Sequence, residues 1–169
     1  MMRAADGLEL VGIARGVGVA AWLDGGWGIE ALLGSECRSH GDVDLVTALA
    51  DVDRLTVALA PHGYVTAEDH PPIRRVLRGR GGDGRQVGGR PDGGDCVYPA
   101  TGFVTGTVVG VSVPCISADV QLVHHLGYVP RPHDIEDMQR LAARFGLALP
   151  DHYAASTTSR EHHTSENTE

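Results

Sequence analysis

Two stretches decide how this chain is read: Trp22-Leu23-Asp24-Gly25-Gly26-Trp27-Gly28 and, a helix and a loop later, Asp42-Val43-Asp44-Leu45. The apolar run Val19–Leu23 has the length of a buried strand. Asp24-Gly25-Gly26 breaks it, and Trp27–Leu33, closed by Gly34, has the pattern of a short helix. Strand alternation returns over Asp42–Thr47. Alternate residues of a strand share a face, so the carboxylates of Asp42 and Asp44 project together, roughly 6–7 Å apart along the chain. Val43 and Leu45 then point to the opposite, buried face. Two carboxylates so placed can hold a divalent cation, and Mg²⁺ suits them because it takes a few carboxylates plus phosphate oxygens and water. A bare Asp-x-Asp is equally compatible with two solvated acids. The preceding turn adds to the first reading. Gly25 and Gly26 permit close backbone approach, and the helix after them offers unpaired N–H groups and a positive dipole end to a phosphate.

Outward from this pair, strands and helices alternate, which predicts an α/β chain. Leu8, Leu10, Val11, Ile13 and Ala14 predict a first helix, ended by Gly16 and Gly18. Asp51–Ala60 predicts another, stopped by Pro61. Tyr64–Ala67 and Ile73–Arg78 are candidate strands. Over Phe103–Val113 strand character resumes, with Thr105, Thr107, Val109, Val111 and Val113 on one parity. Ser117 caps a predicted helix Ala118–Leu126 ended by Gly127. A last helix opens at Pro132 and runs through Phe145, its apolar face formed by Ile135, Met138, Leu141, Ala142 and Phe145. From Ala154 onward the sequence offers nothing to bury, and disorder is expected. The expected organisation is a core over 1–115, a helical segment over 116–153 packed on it, and a tail over 154–169.

The chain has 169 residues, and all 14 of its basic residues are arginine against 22 acids, a formal charge of −8. The absence of lysine excludes Schiff-base chemistry and a P-loop lysine. A net acidic chain is a poor general partner for nucleic acid. The Arg/Gly stretch from Arg78 lacks the interleaved aromatic residues of an RNA-stacking segment. No apolar run approaches the ~20 residues of a membrane helix, and Met1–Gly12 has no signal-peptide core, so the cytoplasm is the expected location. Cys37, Cys96 and Cys115 are odd in number and far apart, which argues against a disulfide framework or structural zinc. His124-His125 diverge by about 100° on a helix and cannot easily share one ion. Trp22 and Trp27 read as core residues.

With both motifs in view, Trp22–Gly34 and Arg38-Ser39-His40-Gly41-Asp42-Val43-Asp44-Leu45 resemble the antibiotic nucleotidyltransferases. Within these, the lincosamide and aminoglycoside 2''-nucleotidyltransferases are the most similar. A second block supports the likeness: Tyr98-Pro99-Ala100, Thr105-Gly106-Thr107, Cys115-Ile116-Ser117 and His125-Leu126-Gly127-Tyr128, then Asp134, Asp137 and Arg144-Phe145-Gly146-Leu147 to Pro150. The likeness covers most of residues 10–153. It implies a polymerase-β-like nucleotidyltransferase core (α/β, α+β) with a short C-terminal helical segment. It also implies Mg²⁺, a nucleoside triphosphate such as ATP, and an antibiotic hydroxyl as acceptor. Asp42 and Asp44 match the metal-binding, catalytic pair. Gly25 and Gly26, with Arg38 and His40 just before the pair, are the candidate nucleotide-binding residues.

One departure stands out. The resemblance implies a third carboxylate on a later strand, which holds metal or takes the acceptor's proton. The hairpin leading to it is recognisable in Arg75-Val76-Leu77-Arg78 and Arg85-Gln86-Val87, but the expected position is Gly88. Three expectations compete. Asp92 or Asp95 substitutes, or the chain is a divergent member with weak or no transfer activity, or the acceptor is activated without that carboxylate. A catalytically silent nucleotide or small-molecule binding protein of the same fold is the alternative function. The acceptor and the oligomeric state are not legible in the sequence.

Overall fold

The computed structural model describes residues 1–80, 85–88, 92–93 and 98–154. Asp95, Cys96 and the expected tail from residue 155 onward lie outside them. A helix α1 (Ala4–Gly16) leads into β1 (Ala21–Asp24), α2 (Gly25–Leu33) and β2 (Val43–Thr47). Then come α3 (Val52–Leu59), β3 (Tyr64–His70), β4 (Arg74–Gly79) and β5 (Gln86–Gly88). The hairpin β6 (Phe103–Val108) and β7 (Val111–Ile116) precedes α4 (Ala118–His125), α5 (Pro132–Phe145) and α6 (Asp151–Ala154). The seven strands form one sheet in the order β3-β4-β5-β2-β1-β7-β6, antiparallel except where β2 meets β5 and β1 meets β7.

Alternation along the central strands sets the two faces of the sheet. Leu23, Val43 and Leu45 join Leu10, Val11 and Ala14 of α1 and Leu55 and Leu59 of α3 in the main core. The other face carries Val46 with Trp22, Tyr98, Phe103, Ile116 and Val120. A third cluster joins Ile29 of α2 to Ala118, Met138, Leu141 and Tyr153, and so docks the C-terminal helices onto α2. Each such fully buried apolar side chain contributes about 1.5–3 kcal/mol from area removed from water. Helix α2 presses directly on the sheet because Gly106 of β6 has no side chain: a Cβ there would collide with the backbone of Ala31.

The helices fall where capping and periodicity place them. Ser117 caps α4, its hydroxyl accepting from Val120 N at 3.5 Å, and Gly146 ends α5 in the left-handed region. Phe103–Val113 differs from the expected single strand. It is a hairpin turning at Val109 (φ 48°) and Gly110 (φ 76°). A two-residue turn with both φ positive is the usual tight hairpin connection. Valine is unfavourable there, so the turn carries no sequence signal at its first position. The single-parity set splits as a result. Thr105 lies opposite Pro114 and Thr107 opposite Ser112, whereas Val111 and Val113 share the face of Val108 and Gly106.

Candidate active site

The register places three positions in one row across the sheet. Asp24 of β1 is opposite Asp44 of β2, and Asp44 is in register with Gly88 of β5. Residues opposed in this way share a face, so the Asp24 and Asp44 carboxylates and the hydrogen of Gly88 all face the same side. Asp42 comes one step before β2, and its Oδ2 accepts from Gln86 Nε2 at 3.3 Å. Asp42 and Asp44 are half-buried, while Val43 and Leu45 beneath them are buried.

Helix α2 begins at the edge of this row. Asp24 Oδ1 accepts from Gly25 N at 2.7 Å. Gly25 adopts φ +54°, and a Cβ there would lie 2.8 Å from Asp44 Oδ2. A Cβ on Gly26 would enter the His40 ring and approach an Arg38 terminal nitrogen to 2.9 Å. Both glycines are therefore required by close packing around the carboxylate row, and the second by the loop that precedes β2.

That loop is held by one buried acid. Glu30 Oε1 accepts from Cys37 N (2.8 Å), Arg38 N (3.1 Å) and His40 Nε2 (2.8 Å), and both Glu30 and His40 are under 5% exposed. The His40 ring also lies on Trp27, with centroids 4.7 Å apart. Arg38 reaches across to α5, where its Nε donates to Asp137 Oδ2 at 2.9 Å and a terminal nitrogen pairs with the same oxygen at 2.9 Å. Asp137 is buried, so the pair ties the loop to the helical segment.

These groups open onto a cleft of about 1650 Å³, solvent included. Asp24, Gly25, Gly26, Arg38, His40, Asp42 and Asp44 form one wall, so the structure brings together all the candidate residues named from the sequence. The opposite wall was given no binding role from the sequence, although His124-His125, Tyr128 and Asp134 were named there. It comprises His124 and His125 of α4, Tyr128, and Arg131, His133 and Asp134 at the start of α5. Asp134 Oδ2 accepts from Arg131 N at 2.8 Å, which fixes the helix start. Burial pushes the Tyr128 hydroxyl up to about 12, with the Asp134 carboxylate adding to it. Asp134 belonged to the resembling block, and Asp24 precedes the glycine pair directly. Nothing in the sequence separated their roles from ordinary helix caps.

Asp92 does not supply a third carboxylate. Its backbone pairs beside β2, with Asp92 N donating to Thr47 O at 2.8 Å, and its Oδ1 accepts from Tyr98 N at 3.0 Å. It bridges Ala48, four residues beyond Asp44 and therefore roughly 13 Å away along the strand. Asp95 lies outside the described residues. Among the described residues no three of His, Cys, Asp and Glu converge to hold a metal. A carboxylate pair completed by ligand oxygens and water is the donor set Mg²⁺ accepts, so the residues fit that ion when a phosphate ligand shares it. The described residues contain no helix long and apolar enough to cross a membrane.

Comparison with known proteins identifies the family and the fold. Residues 8–141 match the family described as aminoglycoside-2''-adenylyltransferase. A lincosamide resistance protein of Staphylococcus haemolyticus is 29% identical over 135 residues, covering 73% of this chain and 84% of that protein. The crystal structure of the lincosamide antibiotic adenylyltransferase LnuA with lincomycin bound superposes with a TM-score of 0.71 at 25% identity, over 80% of this chain and 94% of that one. The crystal structure of ANT(2'')-Ia with adenylyl-2''-tobramycin gives 0.72 at 18% identity, over 83% and 88% of the two chains, a likeness of fold. Because that family's match spans most of the chain, residues 8–141, the chain belongs to the aminoglycoside-2''-adenylyltransferase family of antibiotic nucleotidyltransferases.

Proposed function

We propose that this protein transfers a nucleotidyl group, from ATP as the natural donor, to a hydroxyl of a lincosamide or aminoglycoside antibiotic. The observation that carries the reading is the row Asp24–Asp44–Gly88 set against the N-terminus of α2, with Asp42 beside it. Gly25 and Gly26 let the triphosphate approach the first turn of α2, where unpaired N–H groups and the dipole favour its charge. Asp42 and Asp44 would hold Mg²⁺, whose chemistry is to neutralise phosphate charge and align attacking and leaving oxygens. The Glu30 bracket keeps the loop before β2 at a fixed distance from α2, so the carboxylates and the glycine turn keep their separation. The acceptor would lie between the sheet and the α4–α5 wall, its hydroxyl directed at the α-phosphorus and pyrophosphate leaving on the opposite side.

One observation favours a second reading, a silent binding protein of the same fold: Gly88 leaves the β5 flank of Asp44 without a carboxylate. The tests separate the two. Mg-ATP is expected to bind the wild type, and an Asp42→Ala/Asp44→Ala variant to bind it at least about tenfold more weakly, by calorimetry. Equal binding removes the metal-pair assignment. Sustained pyrophosphate release with lincomycin, clindamycin or an aminoglycoside panel identifies the enzyme. Binding without release identifies the silent protein.

A further inference from the structure

A chain without lysine must meet a polyphosphate with arginine or histidine. The cations closest to the carboxylate pair in sequence are already engaged. His40 is buried with Nε2 on Glu30, and Arg38 is bound through two nitrogens to Asp137. On the facing wall, His125 Nδ1 lies 2.7 Å from Gln121 O, and Arg131 and His133 both sit beside Asp134, while Arg74 at the start of β4 lines the cleft as an exposed side chain.

His124 is placed differently. Its Nδ1 is 3.8 Å from Asp24 Oδ2, the free oxygen of the carboxylate whose other oxygen receives Gly25 N. Its ring stands edge-on to Tyr98, with centroids 5.1 Å apart and planes at 80°. These two neighbours orient the ring beside the first turn of α2 and leave it lining the cleft. We propose that His124, backed by Asp24, is the cation that binds the phosphates beyond the transferred one, and so holds the pyrophosphate. The inference rests on the nucleotidyl-transfer reading above. In the protonated ring both nitrogens carry N–H, so a ring held on one side by Asp24 has a second donor to offer an anion.

An imidazole changes charge between about pH 5 and 8, whereas an ammonium group does not. The groups facing His124 are Asp24 at the end of β1 and Tyr98 ahead of β6. His125 on the same helix turns toward Gln121 O, and Arg131 and His133 lie on the same wall beside Asp134.

Calorimetry of pyrophosphate with the full chain at about pH 6 and about pH 8 tests this. His124→Gln is expected to weaken binding about tenfold at the lower pH and little at the higher. His124→Lys, the only lysine in the chain, is expected to keep tight binding at both. Three results overturn the proposal: no pyrophosphate binding by the wild type at about pH 6, unchanged binding by His124→Gln there, or equal losses at both pH values without rescue by lysine. Mg-ATP separates the two layers. If Asp42→Ala/Asp44→Ala abolishes Mg-ATP binding while His124→Gln leaves pyrophosphate untouched, this inference falls and the reading above stands. If the wild type binds no Mg-ATP, the reading itself fails and carries this inference down with it.

Discussion

The two flanks of Asp44 are built to different standards. On the β1 side, Asp24, the first turn of α2, the Glu30 bracket and the Arg38–Asp137 pair interlock through buried hydrogen bonds, and each glycine is required by a named neighbour. On the β5 side, a three-residue strand ends at Gly88, and Gln86 donates to Asp42 across a longer 3.3 Å contact. The β1 side is over-determined, and the β5 side, where the family resemblance implies a third acid, presents Gly88. On the proposed function, binding and turnover would depend on different parts of one row of residues, and damage to each should be separable.

The largest expected effect is on the β1 side. Glu30→Ala strands two backbone N–H groups and the His40 ring in the interior, and should cost about 3–5 kcal/mol. In a chain of this size that is roughly 10 °C in the melting midpoint, read by thermal denaturation. Gly88→Ala on the other flank should stay within about 1 kcal/mol, because its Cβ meets only the mobile end of Asp44. Similar losses at the two positions would break the comparison.

Gly26→Ala comes next. The new Cβ enters the His40 ring, which Glu30 and Trp27 hold in place, so the turn must move. Mg-ATP affinity should fall about tenfold or more by calorimetry. Gly41→Ala, in the same cleft with nothing within 4 Å, should leave it unchanged. The smallest stability effect, and the sharpest functional one, belongs to Gly88→Asp. A Cβ there lies 2.7 Å from Asp44 Oδ1, so the added carboxylate meets Asp44 directly. Like charges should destabilise the fold in chelator by about 1 kcal/mol, roughly 2–4 °C in the melting midpoint, with recovery in Mg²⁺ beyond that of the wild type. If the carboxylate is all that is missing, pyrophosphate release should rise toward the 10²–10⁴-fold a general base typically supplies. No gain would mean that the β5 flank has lost more than one side chain.

Much of this was legible because local rules and tertiary structure agree. The Asp-x-Asp strand, the glycine break and the capped helices α4 and α5 stand where alternation and end signals put them. The β4–β5 hairpin also forms as the Arg75–Arg78 and Arg85–Val87 segments suggested, with Leu77 opposite Val87. The Val109–Gly110 turn was hidden because a β-branched residue occupies a left-handed position, which only the closed hairpin enforces. The polar framework of the site was less legible for another reason. Arg38 and Asp137 are 99 residues apart, and no periodicity links them. His124 and His125 were expected to diverge on their helix, and they do, His125 turning to Gln121 O, but no local rule said that His124 would meet Asp24.

The Arg38–Asp137 contact also has a mechanical meaning. It is a strut joining the loop under the carboxylates to the helix that forms the far wall. Widening the cleft by swinging α5 outward would pull a buried carboxylate from its cation, at about 3 kcal/mol or more. The two walls therefore behave as the jaws of a caliper locked near one setting. On the proposed function, a bulky acceptor would have to fit the cleft at that setting rather than force the jaws apart.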